Sequence, residues 1–472
     1  MLTHWPSVTG TVDEAALPAK LAASLTFDSV WVAPIPGDVA GRSNVFALKR
    51  GMSQRTIVLT GHFDVVSVED YGALQHLAFK PEELLSATIE RLRMTGENPL
   101  ALSDFESGDY LPGRGLLDMK AGLAAGLAAM EAYGGDATLV FIGVSDEEEK
   151  SAGARAAVPQ LKQLAADEGL DIALVINLDA IADNGDGSAG RVVTYGSIGK
   201  QLLTAIVVGK QTHAGYPQNG VNAAYVMAEL VREIELSPEL SEATGNELAA
   251  PPATLFAKDL KQGYNVTTPH MAYVYWNTMQ HRRSGADVLA IAMELAARAV
   301  TRAELKTGHK IALKRVADIA RPVGIKLDPA QSLPDQTLAL LSAMAQQIDE
   351  PTVIMGFGSI PYPAVLLRDE NLRNIIGEAA RPHGLAEVNY FAGISDMSFF
   401  GQSSGDLSEV AANTPIWGTS FAMPEPGDHP TINIGPWGRD YHTWLQRLHA
   451  PYAFEVLPRV LLSVIEAVAE KS

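Results

Sequence analysis

The sequence of 472 residues contains no cysteine. This absence excludes disulfide bonds and every metal site that depends on thiolate ligands. A metal ion bound by this chain must therefore be held by His, Asp and Glu side chains. Nitrogen and oxygen donors of this kind suit Zn, Mn or Co ions in a catalytic site.

Long apolar segments and an excess of positive charge are also missing. No stretch resembles a transmembrane span, and the first residues, Met1 to Pro6, lack the basic end and the apolar segment of a secretory signal. The 36 Lys and Arg residues are outnumbered by 55 Asp and Glu residues, and the net charge of -19 disfavours binding to nucleic acid or to anionic membranes. We therefore expect a cytoplasmic protein with neither kind of partner.

The residues that are present predict a large α/β protein. Hydrophobic residues make up 47% of the chain, which is enough for a sizeable core and two domains. The run Ala137–Val144 is apolar and is followed by four acids, Asp146–Glu149. Such a run indicates a buried strand whose carboxyl end carries the acids, and open α/β sheets bind ligands at that end.

Further polar residues follow other predicted strands. His62 and Asp64 follow one apolar run, Asp179 follows another, and Asp118 occupies the turn before a helix rich in Ala, Gly and Leu. Asp64 is near enough in sequence to hydrogen-bond an imidazole nitrogen of His62, as carboxylates beside metal-bound histidines do. Several carboxylates at the dry rim of a sheet need a compensating charge, which a divalent metal would supply. The alternatives are a solvated acidic loop and a strand-end histidine that caps a loop.

The middle of the chain predicts a separate small sheet. Residues 191–208 alternate like antiparallel strands with an exposed face, and the elements that follow give a β-β-α-β-α-β order with helices on one face. We therefore predict a larger domain formed by residues 1–195 and 321–472. A smaller domain, residues 196–320, is inserted into it.

The segment between His62 and Asp118 contains an insertion to which the sequence assigns no chemistry. Within residues 66–111, Pro81–Arg93 has a helical pattern, whereas Thr95–Gly108 is predicted to be a loop.

Four motifs occur in order along the chain and resemble those of one enzyme family. They are Gly61-His62-Phe63-Asp64-Val65-Val66, Gly113-Arg114-Gly115-Leu116-Leu117-Asp118-Met119-Lys120, Asp146-Glu147-Glu148 with Ser151-Ala152-Gly153-Ala154 after it, and Thr212-His213-Ala214-Gly215. Together they resemble the acetylornithine deacetylase, succinyl-diaminopimelate desuccinylase, aminoacylase and glutamate carboxypeptidase family of two-metal peptidases and amidohydrolases. The resemblance covers roughly the whole chain. It implies a zinc-peptidase-like catalytic domain with a mixed sheet and an inserted α+β ferredoxin-like lid domain.

The resemblance implies a metal-binding role for several matching residues. The site would hold two divalent ions, Zn in the first place and Mn or Co as alternatives. His62 and Asp179 match ligands of the first metal, and Asp179 is preferred to Asp183. Asp118 matches the carboxylate that bridges both metals, and Glu148 matches a ligand of the second metal.

The resemblance also implies supporting and catalytic roles. Asp64 matches the residue that orients His62. Glu147 matches the general base, which takes a proton from a water shared by the two metals and passes it to the leaving amine. His213 matches a lid histidine that stabilises the developing oxyanion and that enters the partner's active site in some dimeric members. A homodimer formed through the lid domain is therefore expected.

The last metal ligand should be a histidine near the end of the chain. His449-Ala450-Pro451 and the helix that follows resemble the family's motif, and His442 is the competing residue. The family's usual acid four residues after this histidine is replaced here by Ala453. We predict His449 as the ligand.

Recognition of a substrate carboxylate would need a basic residue of the lid. Arg283 is the candidate, together with its neighbour Arg282, and a solvated basic pair at a strand end is the alternative. The resemblance implies a small amino-acid-derived or short peptide substrate.

Some details depart from the better known branches of the family. The separation of His62 from Asp118 is longer than usual, and residues 322–358 are enlarged. Three segments resemble a branch associated with arginine utilisation: Asp70-Tyr71-Gly72, Tyr264-Asn265-Val266-Thr267-Thr268-Pro269 and Gly438-Arg439-Asp440-Tyr441-His442.

The sequence therefore predicts a metal-dependent hydrolase of an amide bond adjacent to an amino acid. An N-acyl-amino-acid deacylase, a dipeptidase and a carboxypeptidase all fit this description. Two other classes remain open, namely a catalytically silent relative that acts as a binding protein and a protein with a single metal.

Overall fold

The computed structural model describes residues 2–245, 247–391, 393–403, 406–425 and 427–470. The chain forms two compact units. Unit 1 consists of Met1–Ser197, Leu366–Gln402 and Pro424–Ser472, and unit 2 consists of Ile198–Val365 and Ser403–Met423. No helix among the described residues has the length and apolar character needed to cross a membrane.

The elements follow the chain through unit 1, unit 2 and unit 1 again. The first part of unit 1 contains α1 (Val12–Ser24), β1 (Ser29–Pro34), β2 (Ser43–Lys49), β3 (Arg55–His62), α2 (Pro81–Thr95), α3 (Pro99–Ser107), β4 (Tyr110–Pro112), α4 (Ala121–Ala132), β5 (Thr138–Val144), α5 (Ala152–Glu168), β6 (Asp171–Asn177), β7 (Ile181–Ala182), β8 (Val192–Thr194) and β9 (Gly196–Ser197). Unit 2 contains β10 (Gly199–Val208), α6 (Ala223–Ile234), β11 (Ala243–Thr244), β12 (Glu247–Leu248), β13 (Ala253–Asp259), β14 (Met271–Gln280), α7 (Gly285–Thr307), β15 (Ala312–Arg315), α8 (Leu333–Ala345) and β16 (Thr352–Phe357). After β17 (Val365–Leu366) come α9 (Glu370–Ala380), β18 (Ala386–Val388) and α10 (Met397–Phe400), then α11 (Ser408–Ala412) of unit 2, and finally β19 (Thr431–Asn433), β20 (Trp437–Arg439), β21 (Arg447–His449) and α12 (Leu457–Ala469).

Unit 1 is built on a mixed sheet of eight strands in the order β1-β2-β5-β3-β6-β19-β8-β18. The central strands β5, β3, β6 and β19 run parallel to one another. Strand β2 is antiparallel to both of its neighbours, β1 and β5, and β19 is antiparallel to β8. Strands β3 and β5 are apolar on both faces because helices cover the sheet. The predicted mixed α/β fold is confirmed.

Helix α4 approaches the sheet closely because its packing residues are small. A Cβ added at Gly122 would lie 2.0 Å from the carbonyl oxygen of Leu178, and one at Gly126 would lie 2.5 Å from a methyl carbon of the same leucine. Helix α12 packs on α4 and α9 and completes this side of the core.

Unit 2 has a five-stranded sheet in the order β13-β14-β10-β16-β15. Strand β10 alternates between two cores: Leu203, Ala205 and Val207 pack with α6 and α7, whereas Ile206 and Val208 pack with α8. Helices therefore cover both faces, which corrects the prediction of helices on one face only. The exposed face predicted for residues 191–208 is wrong for the same reason.

The boundary between the units differs from the predicted one. Strand β16 lies between β10 and β15, antiparallel to the first and parallel to the second, so residues 321–365 pack within unit 2. The predicted division at residue 320 therefore cut through this sheet. Strand β8 pairs with β18 and β19 of unit 1, on the larger domain's side of the predicted division at residue 195.

The predicted loop Thr95–Gly108 contains helix α3. The Asn98 side chain caps the helix by accepting a hydrogen bond from the backbone N–H of Ala101 at 3.0 Å, and Pro99 occupies the first helical position. Gly108, with φ of 84°, ends the helix in the left-handed conformation. These start and stop signals were present in the sequence.

Candidate metal centre and active site

Three parallel strands of unit 1 end side by side. In the pairing of β3 with β5, His62 lies opposite Val144, the last residue of β5. Thr60 of β3 lies opposite Asn177, the last residue of β6. The acids that follow β5, and Asp179 that follows β6, therefore meet His62 at one edge of the sheet.

Asp118 reaches the same edge from a tight turn between β4 and α4. The turn, Leu116–Lys120, follows Gly115, whose φ of 73° lies in the left-handed region. A Cβ at position 115 would lie 2.4 Å from Cγ1 of Val65, so this close approach requires glycine. The peptide bond between Asp118 and Met119 is cis.

Asp118 divides its two carboxylate oxygens between two histidines. Its Oδ1 lies 3.2 Å from Nε2 of His62, and its Oδ2 lies 3.0 Å from Nε2 of His442. Nε2 of His62 also lies 3.7 Å from Oδ1 of Asp179, and Nε2 of His442 lies 3.3 Å from Oε2 of Glu148. The site thus contains a first group, His62 with Asp179, and a second group, His442 with Glu148, and the two groups share Asp118.

The structure places His442, and not His449, against these carboxylates. The His449 ring packs with its centroid 4.6 Å from that of Trp437 and 5.1 Å from that of Tyr110. Its Nδ1 accepts a hydrogen bond from the backbone N–H of Tyr452 at 3.2 Å, and burial lowers its pKa. The choice of His449 as the last ligand is therefore corrected to the competing residue, His442.

Asp64 supports the site differently from the prediction. Nδ1 of His62 contacts the backbone carbonyl of Asp64 at 3.0 Å, whereas the nearer carboxylate oxygen lies 3.6 Å away, beyond hydrogen-bond distance. The carboxylate instead accepts hydrogen bonds from the backbone N–H groups of Glu147 at 3.1 Å and Glu148 at 3.3 Å, and from the Thr9 hydroxyl at 2.8 Å. Asp64 therefore contacts the His62 imidazole through its carbonyl and the loop that carries Glu147 and Glu148 through its carboxylate.

The loop after β5 is anchored by the first of its four acids. Asp146 has φ of 66°, in the left-handed region, and its Oδ2 accepts a hydrogen bond from the backbone N–H of Ala152 at 3.1 Å. Its other oxygen pairs with the Arg42 guanidinium, and its backbone N–H donates to Oε1 of Glu14 at 3.1 Å. Burial raises the pKa of Glu14 to about 8 and that of Asp146 to about 6. Asp146 thus holds the loop in place.

Asn433 fixes Asp179, although the sequence analysis did not single it out. Its Oδ1 accepts a hydrogen bond from the backbone N–H of Asp179, and its Nδ2 donates to the carbonyl of the same residue, both at 2.9 Å. Asn177 donates to the same Oδ1 at 3.1 Å and to the Ser395 hydroxyl at 2.9 Å. Only the pairing of β19 with β6 brings these residues together, so no local sequence pattern could have revealed the contact.

Glu147 lies beside the first group. Its Oε2 is 3.9 Å from Nε2 of His62, and its side chain is 12% exposed. Burial raises the pKa of Glu147 well above its usual value; the charge of His62 opposes this shift, and the nearby carboxylate of Asp396 adds to it. Asp396 is itself buried, which raises its pKa to about 7. A carboxyl group whose pKa is raised above its usual value is suited to accept and release a proton.

The carboxylates around His62 and His442 raise the pKa of both imidazoles. Burial acts to lower the pKa of His62, but Glu147, Asp118 and Asp179 outweigh it and raise the pKa well above its usual value. The pKa of His442 is raised to about 10, again against burial, by its bonds to Asp118 and Glu148.

The donor set fits divalent metal ions. Two imidazole nitrogens face the carboxylates of Asp118, Glu147, Glu148 and Asp179 in a largely buried site, and this excess of buried negative charge requires additional cations. Imidazole and carboxylate ligands suit Zn, Mn and Co, in agreement with the absence of cysteine.

The remaining predicted residues lie in unit 2. His213 is exposed, and its Nδ1 accepts a hydrogen bond from the backbone N–H of Gly215 at 3.0 Å. The Arg283 guanidinium donates to the carbonyl of Glu239 at 2.7 Å. The backbone N–H groups of Arg282 and Arg283 both donate to the Glu242 carboxylate.

Comparison with known proteins places this chain in a family. Residues 58–412 match Peptidase family M20/M25/M40. The chain is 31% identical to the uncharacterized protein YqjN of Bacillus subtilis over an alignment of 532 positions, which covers 100% of this chain and 95% of the relative. It is 27% identical to protein RocB of the same organism, over 98% of this chain and 92% of RocB.

Solved structures share the fold at much lower identity. A tripeptidase of Staphylococcus aureus has a TM-score of 0.58 and 17% identity, over 100% of this chain and 96% of that chain. The protein YXEP of Bacillus subtilis, described as a dinuclear metal binding peptidase, has a TM-score of 0.52 and 12% identity, over 99% of this chain and 95% of that chain. The family match covers residues 58–412, and one relative is 31% identical over the whole of this chain. These two findings show that the chain belongs to Peptidase family M20/M25/M40.

Proposed function

We propose that this protein is a cytoplasmic hydrolase that cleaves an amide bond adjacent to an amino acid, at a site that holds two divalent metals. The observation that carries the proposal is the division of the Asp118 carboxylate between His62 and His442. One carboxylate placed between two histidine-acid groups is the arrangement that a bridged metal pair requires. The description of the similar YXEP structure as a dinuclear metal binding peptidase supports the same assignment.

Five residues are assigned as metal ligands. His62 and Asp179 would hold the first metal, His442 and Glu148 the second, and Asp118 both. Zn is the proposed ion, with Mn and Co as the alternatives that suit the same donors. When bound, such a pair supplies a water of lowered pKa and polarises the scissile carbonyl.

Glu147 is the proposed general base. It lies beside the first group, and the hydrogen bond from its backbone N–H to Asp64 fixes the loop that carries it. Burial raises the pKa of its carboxyl group, and positive charge at the site, such as that of His62, opposes this shift. Glu147 can then take a proton from water and pass it to the leaving amine.

His213 is the proposed oxyanion donor. Its Nδ1 accepts the Gly215 N–H, so a neutral imidazole must carry its proton on Nε2. Nε2–H is therefore a donor that could stabilise the negative charge developing on the substrate oxygen. We also propose that unit 2 is a lid that mediates dimerisation, as the resemblance at Thr212–Gly215 implies.

The substrate class is a short peptide or an N-acyl amino acid. Arg283 would bind the substrate carboxylate. To do so, its guanidinium must give up the hydrogen bond to the Glu239 carbonyl and form one to the substrate. We also propose placement near the branch associated with arginine utilisation, which the segments Asp70-Tyr71-Gly72 and Gly438-Arg439-Asp440-Tyr441-His442 resemble.

The test is elemental analysis of the purified protein combined with a hydrolysis screen. N-acyl amino acids, dipeptides and longer peptides would be offered after loading with Zn, Mn or Co. Two metals per chain with metal-dependent amide cleavage is the expected result. One metal per chain would favour a mononuclear protein, and two metals without turnover on any of these substrates would favour a silent relative that acts as a binding protein.

A further inference from the structure

The insertion of residues 66–111, called here the insertion segment, contributes no side chain to the first or second group. It nevertheless contacts the part of the chain that presents His442. That part, called here the His442 loop, consists of residues 440–446 and connects β20 to β21. Two charged links join the insertion segment to this loop or to the strand ends beside it.

The first link runs through Arg114. Its Nη2 donates to Oδ1 of Asp70 at 2.7 Å, and its Nη1 donates to Oε1 of Gln446 at 2.9 Å. The same Gln446 oxygen accepts a hydrogen bond from the backbone N–H of His442 at 3.1 Å. Arg114 is 1% exposed, and its guanidinium carbon lies 5.2 Å from the centre of the Tyr71 ring. The insertion segment is thus connected to the His442 backbone by three successive hydrogen bonds.

The second link runs through Asp104 of α3. Its Oδ2 accepts hydrogen bonds from Nη1 of Arg439 at 2.9 Å and from Nε of Arg447 at 2.7 Å. Arg439 is the last residue of β20, Arg447 is the first residue of β21, and the two lie opposite each other in the sheet. Without Asp104, two buried guanidinium groups would repel each other at the base of the His442 loop.

The His442 loop needs such support because its backbone adopts a conformation that is unfavourable without contacts from other residues. Asp440 and His442 have φ of 53° and 65°, in the left-handed region that non-glycine residues rarely adopt. A ligand on a loop keeps its geometry only when surrounding groups fix it. We propose that the insertion segment positions His442 for the second metal, and that Asp104 and Arg114 are the positioning residues. The proposal rests on the proposed function, since it takes His442 to be a ligand.

The experiment is a Zn²⁺ titration of metal-free protein that resolves the two binding steps, with the visible spectrum of the Co²⁺ form as a second readout. The variants are Asp104→Asn, which keeps the side-chain shape but removes the charge, and Arg114→Lys, which keeps the charge but replaces the two nitrogens that reach Gln446 and Asp70 by a single one. Because Arg114 is buried, Asp70→Asn breaks the same link at its more exposed end. The control is Arg93→Gln, since Arg93 pairs with Glu106 on the surface of the same segment.

The expected result is a loss of about 10–100-fold in affinity for the second metal, with an altered Co²⁺ spectrum and an unchanged first step. Arg93→Gln should bind both metals like the wild type. If the variants bind the second metal as tightly as the wild type, or lose both affinities equally, the positioning role is overturned while the proposed function stands. A wild-type protein that binds fewer than two metals overturns both.

Discussion

The carboxylate of Asp64 accepts a hydrogen bond from the backbone N–H of Glu147 at 3.1 Å. The backbone carbonyl of Asp64 contacts Nδ1 of His62 at 3.0 Å. One residue therefore sets the distance between an imidazole and the neighbouring acid. Glu147 is consequently held beside the first group, with its Oε2 3.9 Å from Nε2 of His62.

Replacing Glu147 by Gln should abolish turnover without loss of metal. The amide keeps the size of the side chain and its backbone bond to Asp64 but cannot accept a proton. A general base contributes typically about 10²–10⁴-fold to the rate, so kcat should fall by that factor. The measurement is steady-state hydrolysis together with metal content. Glu149→Gln is the matched control, since Glu149 is an exposed acid of the same loop; retained activity in Glu147→Gln would remove Glu147 from the role of base.

Substituting His442 and His449 one at a time should distinguish a metal ligand from a histidine that only packs against its neighbours. His442→Ala should lose most of the affinity for the second metal, because the partner of Glu148 and Asp118 is removed. His449→Ala should bind both metals but unfold more easily, since its ring packs on Trp437 and such aromatic contacts contribute about 0.5–1.5 kcal/mol. Calorimetric metal titration and thermal unfolding measure the two effects. The opposite pattern would restore His449 as the ligand.

Substituting His213 by Ala should lower kcat and leave metal content unchanged. The loss of one oxyanion donor costs about 10²–10³-fold in rate. His213→Gln retains an N–H donor and should recover part of the activity. If His213→Ala has the activity of the wild type, the oxyanion role proposed for unit 2 is incorrect.

The stability of the metal-free protein should depend on pH through His442. Its folded-state pKa is raised from 6.5 to about 10, against burial, by its bonds to Asp118 and Glu148. A raised histidine pKa stabilises the fold fully below the unfolded value of 6.5, and this contribution is lost as the pH rises through 10. The difference in unfolding midpoint between wild type and His442→Gln should therefore shrink as the pH increases. A difference that grows with pH would contradict the ion-pair assignment.

A methyl group at Gly122 should destabilise unit 1. Its Cβ would lie 2.0 Å from the carbonyl oxygen of Leu178, so α4 would have to move away from the sheet. Overpacking of this kind costs about 1–3 kcal/mol in the free energy of unfolding, which denaturant titration would measure. Gly134→Ala is the control, because a Cβ there meets no atom within 4 Å. Equal stability of the two variants would show that α4 can shift without cost.

Much of unit 1 could be predicted because its signals are local. Apolar runs bounded by Gly or acids mark β3, β5 and β6, and the polar residues after them meet since carboxyl ends of parallel strands share one edge. His62, Glu147, Glu148 and Asp179 are brought together in this way, and Asp118 joins them from the turn between β4 and α4. The helix α3 was missed although Asn98, Pro99 and Gly108 signalled it, because nine residues are too few to show a clear helical repeat.

Other features depend on contacts that no local pattern reveals. The choice between His442 and His449 follows from the pairing of β20 with β21, which directs the second ring toward Trp437. The position of β16 between β10 and β15 joins distant parts of the chain, so the boundary of unit 2 could not be read from periodicity. The same holds for Asn433, which reaches Asp179 only through β19.

The place of β19 between β6 and β8 has a consequence for synthesis of the chain. Unit 2 precedes β19 in the chain. During synthesis, the edge of β6 that pairs with β19 therefore stays unpaired until β19 has been made. An open edge of a buried strand invites pairing with other chains, and a chain stalled before residue 431 would be prone to aggregate. His442 is made later still, so the second group can be occupied only after β19 has been made.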